Sequence, residues 1–121
     1  MKKSLLALMF VAVSLTANAK FTQRLNIKYQ KEYGWSKYYY VDVTIITGFE
    51  LNQATGTYDY NSYGTYAVVF WGQGQATVIK LTNYLACGYE ATPSCISYNY
   101  SLEGKDQDGD KWYICLTDYC Y

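Results

Sequence analysis

Residues 66–82 read YAVVFWGQGQATVIKLT. Tyr66–Trp71 is apolar on both faces and rich in β-branched and aromatic side chains, the composition of a central strand. Gly72 and Gly74 flank Gln73. Glycine reaches positive φ without a Cβ clash, so these three residues predict a hairpin turn. Ala76–Thr82 then returns, with Thr77, Ile79 and Leu81 on one face and Val78 and Lys80 on the other. One such hairpin fixes the class: a sheet of antiparallel neighbours.

The same period of two extends outward in both directions. Upstream, Leu25, Ile27 and Tyr29 alternate with Arg24, Asn26, Lys28 and Gln30, and Gly34 interrupts the run. Tyr38–Thr47 follows, with Val41, Val43 and Ile45 on one face, Tyr40, Asp42, Thr44 and Ile46 on the other, and Gly48 as a stop. Residues 49–65 are polar and turn-rich, with Thr55-Gly56 as a tight turn. Downstream, Asn83–Ser94 reads as a loop. Ile96, Tyr98, Tyr100 and Leu102 alternate with Ser97, Asn99, Ser101 and Glu103, Gly104–Gly109 turns, and Trp112, Ile114 and Leu116 alternate with Lys111, Tyr113, Cys115 and Thr117. If both apolar sets share one face, Leu102 lies across from Trp112 and Glu103 across from Lys111. No segment of the mature chain carries sustained helical spacing. A helical turn near Leu81–Cys87 is the one place where the pattern tolerates it. The expectation is an all-β fold: a small antiparallel β-sandwich or barrel of about 6–8 strands.

The first 19 residues stand apart from this pattern. Met1-Lys2-Lys3, the apolar run Leu5–Leu15 and the exit Ala17-Asn18-Ala19 make the three parts of a secretory signal peptide. The run is too short to span a bilayer as a helix. The expected organisation is a cleaved leader, 1–19, and a single domain, 20–121, exported to the periplasm or the extracellular space. Loss of Lys2 and Lys3 leaves 8 basic and 10 acidic side chains in the mature domain, net −2. Residues 20–40 hold five of those basic groups (Lys20, Arg24, Lys28, Lys31 and Lys37) against Glu32, while the remainder is net acidic. That asymmetry marks either oppositely charged solvated faces or a small basic patch for an anionic partner.

Cys87, Cys95, Cys115 and Cys120 all fall in the mature domain, an even count that predicts two disulfides in an exported chain. Three connectivities are open. The expected strand register favours Cys95–Cys120 with Cys87–Cys115, and the local pairs Cys87–Cys95 and Cys115–Cys120 remain as the alternative. Only Cys115–Cys120 has the spacing of a zinc-ligand pair, and an exported compartment favours oxidation, so zinc is not expected.

The chain contains no His, which removes the Ser-His-Asp triad, the Cys-His dyad and His-ligated metals from consideration. Asp106-Gln107-Asp108-Gly109-Asp110 is the one dense carboxylate cluster. Its Gly is misplaced for a calcium loop and position 12 from Asp106 is Thr117, so it reads as a turn. No metal or cofactor is expected, and no enzymatic activity. The net charge gives no field for nucleic acid. Eight membrane-spanning strands would consume nearly the whole domain, so a spanning barrel is not expected.

What remains is the aromatic excess: 16 Tyr, 3 Trp and 4 Phe. Strand phase assigns about half to a core. The rest is a candidate binding set: Trp35, Tyr38, Tyr39, Tyr40, Tyr58, Tyr60 and Tyr63. Tyrosine offers a large rigid contact and a hydroxyl at low entropic cost. Alternation requires Tyr39 to face away from Tyr38 and Tyr40. The expected function is a non-enzymatic binding domain that recognises a protein partner, of the inhibitor, immunity or surface-adhesion kind. The alternative is a carbohydrate-binding module using an aromatic platform. Exposed rings beside Asn and Asp would favour sugar.

Overall fold

A computed structural model describes residues 21–117 except 73, 84, 86, 88–90, 97 and 98. The leader 1–19, Tyr98 and Cys120 therefore lie outside the described residues. Seven strands are present: β1 (Thr22–Lys31), β2 (Gly34–Trp35), β3 (Tyr39–Thr47), β4 (Thr65–Gly72), β5 (Gln75–Leu81), β6 (Ser101–Asp106) and β7 (Lys111–Cys115). All neighbours are antiparallel, and β1 pairs with β7, so β1 and β3–β7 close into a six-stranded barrel. The extra strand β2 lies on the line of β3, one residue out of register. Gln30 pairs with Trp35, but Ile27 pairs with Tyr39. Of the two expected architectures, the chain adopts the barrel.

Alternation sorts the side chains into two apolar layers. Leu25, Ile27, Val43, Ile45, Ala67, Val69, Ile79, Leu102, Trp112 and Ile114 fill the barrel interior and are all buried. Ile46, Tyr66, Val68 and Val78 point outward from β3, β4 and β5 and form a second cluster. This explains why Tyr66–Trp71 is apolar on both faces. The outward layer is covered by helix α1 (Gly48–Thr55), whose Leu51 is fully buried against it. Complete burial of a Leu or Ile side chain stabilises by about 1.5–3 kcal/mol, so this second layer is a substantial part of the fold.

The helix α1 corrects the expectation of a polar loop at residues 49–65. Thr47 is its N-cap. The Thr47 hydroxyl accepts from the Glu50 N–H at 3.1 Å, and the Glu50 carboxylate accepts from the Thr47 N–H at 3.1 Å. That reciprocal pair is a capping box, and Gly56 closes the other end. The same Glu50 carboxylate accepts from the Ala91 N–H at 3.1 Å, tying the helix to the β5–β6 connection.

A second correction concerns residues 96–102. Pro93–Ile96 forms a single helical turn, α2, with Pro93 at its first position, where a missing N–H costs nothing. It begins in the stretch read as a loop, Asn83–Ser94, and takes in Ile96, the first residue of the expected strand; the segment near Leu81–Cys87, where the pattern tolerates a helical turn, is not helical at its described residues. Tyr100 is 82% exposed, and β6 begins only at Ser101. The strand then continues through Gly104 and Lys105, where the sequence pattern predicts a turn. The register accordingly shifts by two: Leu102 faces Ile114, Glu103 faces Tyr113, Gly104 faces Trp112 and Lys105 faces Lys111. Gly104, which has no side chain, stands opposite the large and fully buried Trp112.

The preferred disulfide pairing is corrected as well. Cys87 is bonded to Cys95, with Cα atoms 5.1 Å apart. The α2 turn brings Cys95 back toward the loop. Cys115 is also disulfide-bonded, and no described cysteine is free. Disulfide chemistry belongs to an oxidising, exported environment.

Gly104 is the tightest point of the barrel wall. A Cβ there would lie 2.3 Å from the Lys80 carbonyl oxygen and 2.7 Å from the Ile79 Cγ2 atom. Gly104→Ala is expected to lower stability by about 1–3 kcal/mol, because the β5 backbone must move. Urea unfolding of the wild type and the variant measures the difference, and equal midpoints would contradict the close approach.

Candidate functional site

The outer surface of the barrel divides in two. Helix α1 covers β3–β5, while the side formed by β1, β7 and the first half of β3 carries polar and aromatic side chains. Register sets which groups meet there. Lys28 pairs with Tyr113 across β1–β7, and Asn26 pairs with Tyr40 across β1–β3. The Lys28 ammonium lies 5.1 Å from the Trp35 ring centroid, 4.8 Å from Tyr38 and 5.2 Å from Tyr113. Trp35 and Tyr113 also meet edge to face at 6.2 Å. Beside this box, the Arg24 guanidinium sits 5.3 Å from the Tyr40 ring and 3.4 Å from the Asp42 carboxylate. Each cation–π contact contributes about 0.5–1 kcal/mol at an exposed site. Together they gather three rings around one ammonium.

Tyr39 takes the opposite course, as alternation requires. It turns toward the barrel end, 5.8 Å from Trp71 and 6.3 Å from Tyr29, with the Lys37 ammonium 5.2 Å away. Tyr29 and Trp71 both contact Trp112, at 5.2 and 6.2 Å. These four rings plug one end of the barrel. Of the consecutive tyrosines, Tyr38 and Tyr40 therefore belong to the outer face and Tyr39 to the packing.

Tyr58, Tyr60 and Tyr63 lie elsewhere, on the connection between α1 and β4. Tyr58 is 97% exposed and Tyr63 80%. Tyr60 is half-buried, edge to face with Tyr66 at 5.4 Å. Its backbone is held by Asn52, whose side-chain amide donates to the Tyr60 carbonyl at 2.9 Å and accepts from the Tyr60 N–H at 3.0 Å. Tyr60 also lines a groove of about 390 Å³ with Asp59, Asn61, Lys80, Lys105 and Gln107. Six of the seven candidate residues thus form two groups on different parts of the surface, and Tyr39 belongs to the packing.

Sequence reasoning missed two members of the first group, Lys28 and Tyr113. Their signal was the polar phase of their strands, which reads as ordinary solvated face. Tyr33, at the β1–β2 turn, is 94% exposed and was also passed over.

The carboxylate cluster is a turn with a buried anchor. Asp106 is buried; one carboxylate oxygen accepts from the Asp108 and Asp110 N–H groups, both at 2.9 Å. The other accepts from the Trp112 indole N–H at 2.8 Å. Asp106, Asp108 and Asp110 bring carboxylate oxygens within 4.8 Å of one another, yet the Asp106 oxygens are already committed to three donors. No helix among the described residues is long and apolar enough to cross a membrane.

Comparison with family models, curated proteins and solved structures finds no match to this chain.

Two outcomes follow from these contacts. Millimolar calcium is expected to move the melting temperature by less than about 2 °C, since a cation would have to displace the Asp106 hydrogen bonds. A thermal melt with and without chelator checks this, and a large upward shift would overturn the turn assignment. Burial first, then the Asp59 charge and Tyr66, raise the Tyr60 phenol above its ordinary value of 10.0. Above that pH the unfolded chain loses the proton that the folded chain keeps, so stability falls as pH rises through the folded value. Tyr60→Phe should flatten this alkaline limb in unfolding curves between neutral pH and about pH 11.

Proposed function

We propose that this chain is an exported, non-enzymatic binding domain. It recognises an acidic surface of a protein partner through the outer face of β1, β2, β7 and the start of β3. The observation that carries this reading is Lys28, held about 5 Å from three ring centroids. An interface anchor works best when it is aromatic, rigid and rimmed by charge. Trp35, Tyr38, Tyr40 and Tyr113 supply the rings, and Arg24 and Lys28 supply the basic charge among them. The positive bias of residues 20–40 then has a use: it steers an acidic partner toward the rings. An inhibitor, an immunity protein or an adhesive surface protein is the kind of protein this reading fits. The leader 1–19 and the disulfide support delivery to the periplasm or extracellular space. Charged side chains on the outer barrel face, among them Arg24, Lys80 and Lys105, support a domain that does not span the bilayer.

Crosslinking in the native compartment, followed by affinity measurement on the recovered partner, tests the reading. Trp35→Ala and Tyr40→Ala should each weaken binding about tenfold or more, and added salt should weaken it further. Tyr58→Ala and Tyr63→Ala should leave it unchanged. The reverse pattern would move the site to the α1–β4 connection.

A second reading, a carbohydrate-binding module, is favoured by one place. In the groove beside β5, the Tyr60 ring stands next to Asp59 and Asn61.

A further inference from the structure

The outer face of β5, β6 and β7 carries a row of like charges. Lys80 pairs directly with Lys105, and Lys105 pairs with Lys111. Adjacent strands lie about 4.8 Å apart, so three ammonium stems rise side by side. Like charges directly opposite one another destabilise a sheet. None of the three lysines has an ion-pair partner among the described residues. Among the described residues no ion pair offsets this repulsion.

Two of these lysines, Lys80 and Lys105, line the groove of about 390 Å³. Its opposite wall is the α1–β4 connection with Asp59, Tyr60 and Asn61, and Tyr66 and Val78 make its apolar part. Gln107 is committed to the wall itself. Its side-chain carbonyl accepts from the Val78 N–H at 2.9 Å, and its amide donates to the Ala76 carbonyl at 3.1 Å. This occupies the part of β5 that β6 does not reach. The Asp59 carboxylate and the Tyr60 hydroxyl, by contrast, have no hydrogen-bond partner among the described residues. Four polar groups thus converge on one groove with their bonding capacity unused: two ammoniums, a carboxylate and a phenol.

We propose that this groove binds a carboxylated sugar residue of an acidic glycan. The Lys80 and Lys105 ammoniums take the sugar carboxylate, the Tyr60 ring packs on the pyranose face, and Asp59 and the Tyr60 hydroxyl bond its hydroxyls. Asp59 selects this chemistry. A carboxylate in the same groove as two lysines repels a densely charged phosphate polymer, but it accepts hydrogen bonds from a ligand that combines one anion with several hydroxyl donors. The inference names the ligand for the carbohydrate reading and rests on that reading. It is independent of the protein-binding face on β1 and β7.

The test is titration of the mature domain with three probes: trigalacturonate, its methyl ester and inorganic polyphosphate. Trigalacturonate should bind at least about tenfold tighter than the ester, a difference of about 1.4 kcal/mol. The exposed double variant Lys80→Gln/Lys105→Gln should reduce trigalacturonate to the level of the ester without loss of melting temperature. Asp59→Asn should weaken both sugars. Equal binding of acid and ester would overturn the anionic requirement while leaving sugar binding in place. Equal or tighter binding of polyphosphate would overturn the sugar and leave a simple anion site. Absence of binding by either sugar would overturn this proposal and the carbohydrate reading together.

Discussion

Backbone pairing of Asn26–Tyr29 in β1 with Trp112–Cys115 in β7 closes the sheet on itself. Without it, β1 and β7 would be edges with unsatisfied N–H and C=O groups, open to any other strand. With it, the interior becomes a sealed volume filled by Ile27, Val69, Ile79, Leu102 and Ile114. Closure also determines what lies on the outside. Lys28 and Tyr113 are far apart in sequence, and they become neighbours because this register sets them opposite each other. The aromatic plug depends on the same pairing, since Tyr29 faces Trp112 across it.

Alternation converts closure into distinct surfaces. On β3–β5 the outward residues are apolar, and α1 covers them. On β1 and β7 the outward residues are basic and aromatic, and they organise one another through cation–π contacts. On β5–β7 the outward residues include a lysine row facing a groove. One barrel therefore presents a covered face, a ring-and-cation face and a lysine-lined groove. The two uncovered surfaces differ in chemistry. The first has rigid rings for flat contact, and the second has separate polar groups around a pocket.

Several of these features were legible in the sequence. The 66–82 hairpin could be read because its two glycines mark the turn and its apolar run marks a strand buried on both sides. Both hold, with Gly72 at φ 99° and Gly74 at φ 73°. The division of Tyr38, Tyr39 and Tyr40 between faces also followed from strand phase. The capping box at Thr47 and Glu50 was present as Thr-x-x-Glu, with Gly56 as its stop, but the polar composition around it masked the signal. Residues 96–102 misled because period-two alternation is a local pattern. Pro93 and the Cys87–Cys95 bond act on the same segment and turn it before the strand begins.

The sequence by itself determined the class, the strand phase and therefore which side chains point inward, because the two-residue repeat is a property of the backbone. It also determined the even cysteine count and the basic bias of residues 20–40. Only the tertiary structure decided that the sheet closes, that Gly104 rather than Leu102 faces Trp112, and that Cys87 bonds to Cys95. The reason is that register and closure are set by the fit of side-chain volumes across strands distant in the chain. The same fit decides which outward residues meet. Lys28 with three rings, and Lys80 with Lys105, are consequences of packing that no local pattern encodes.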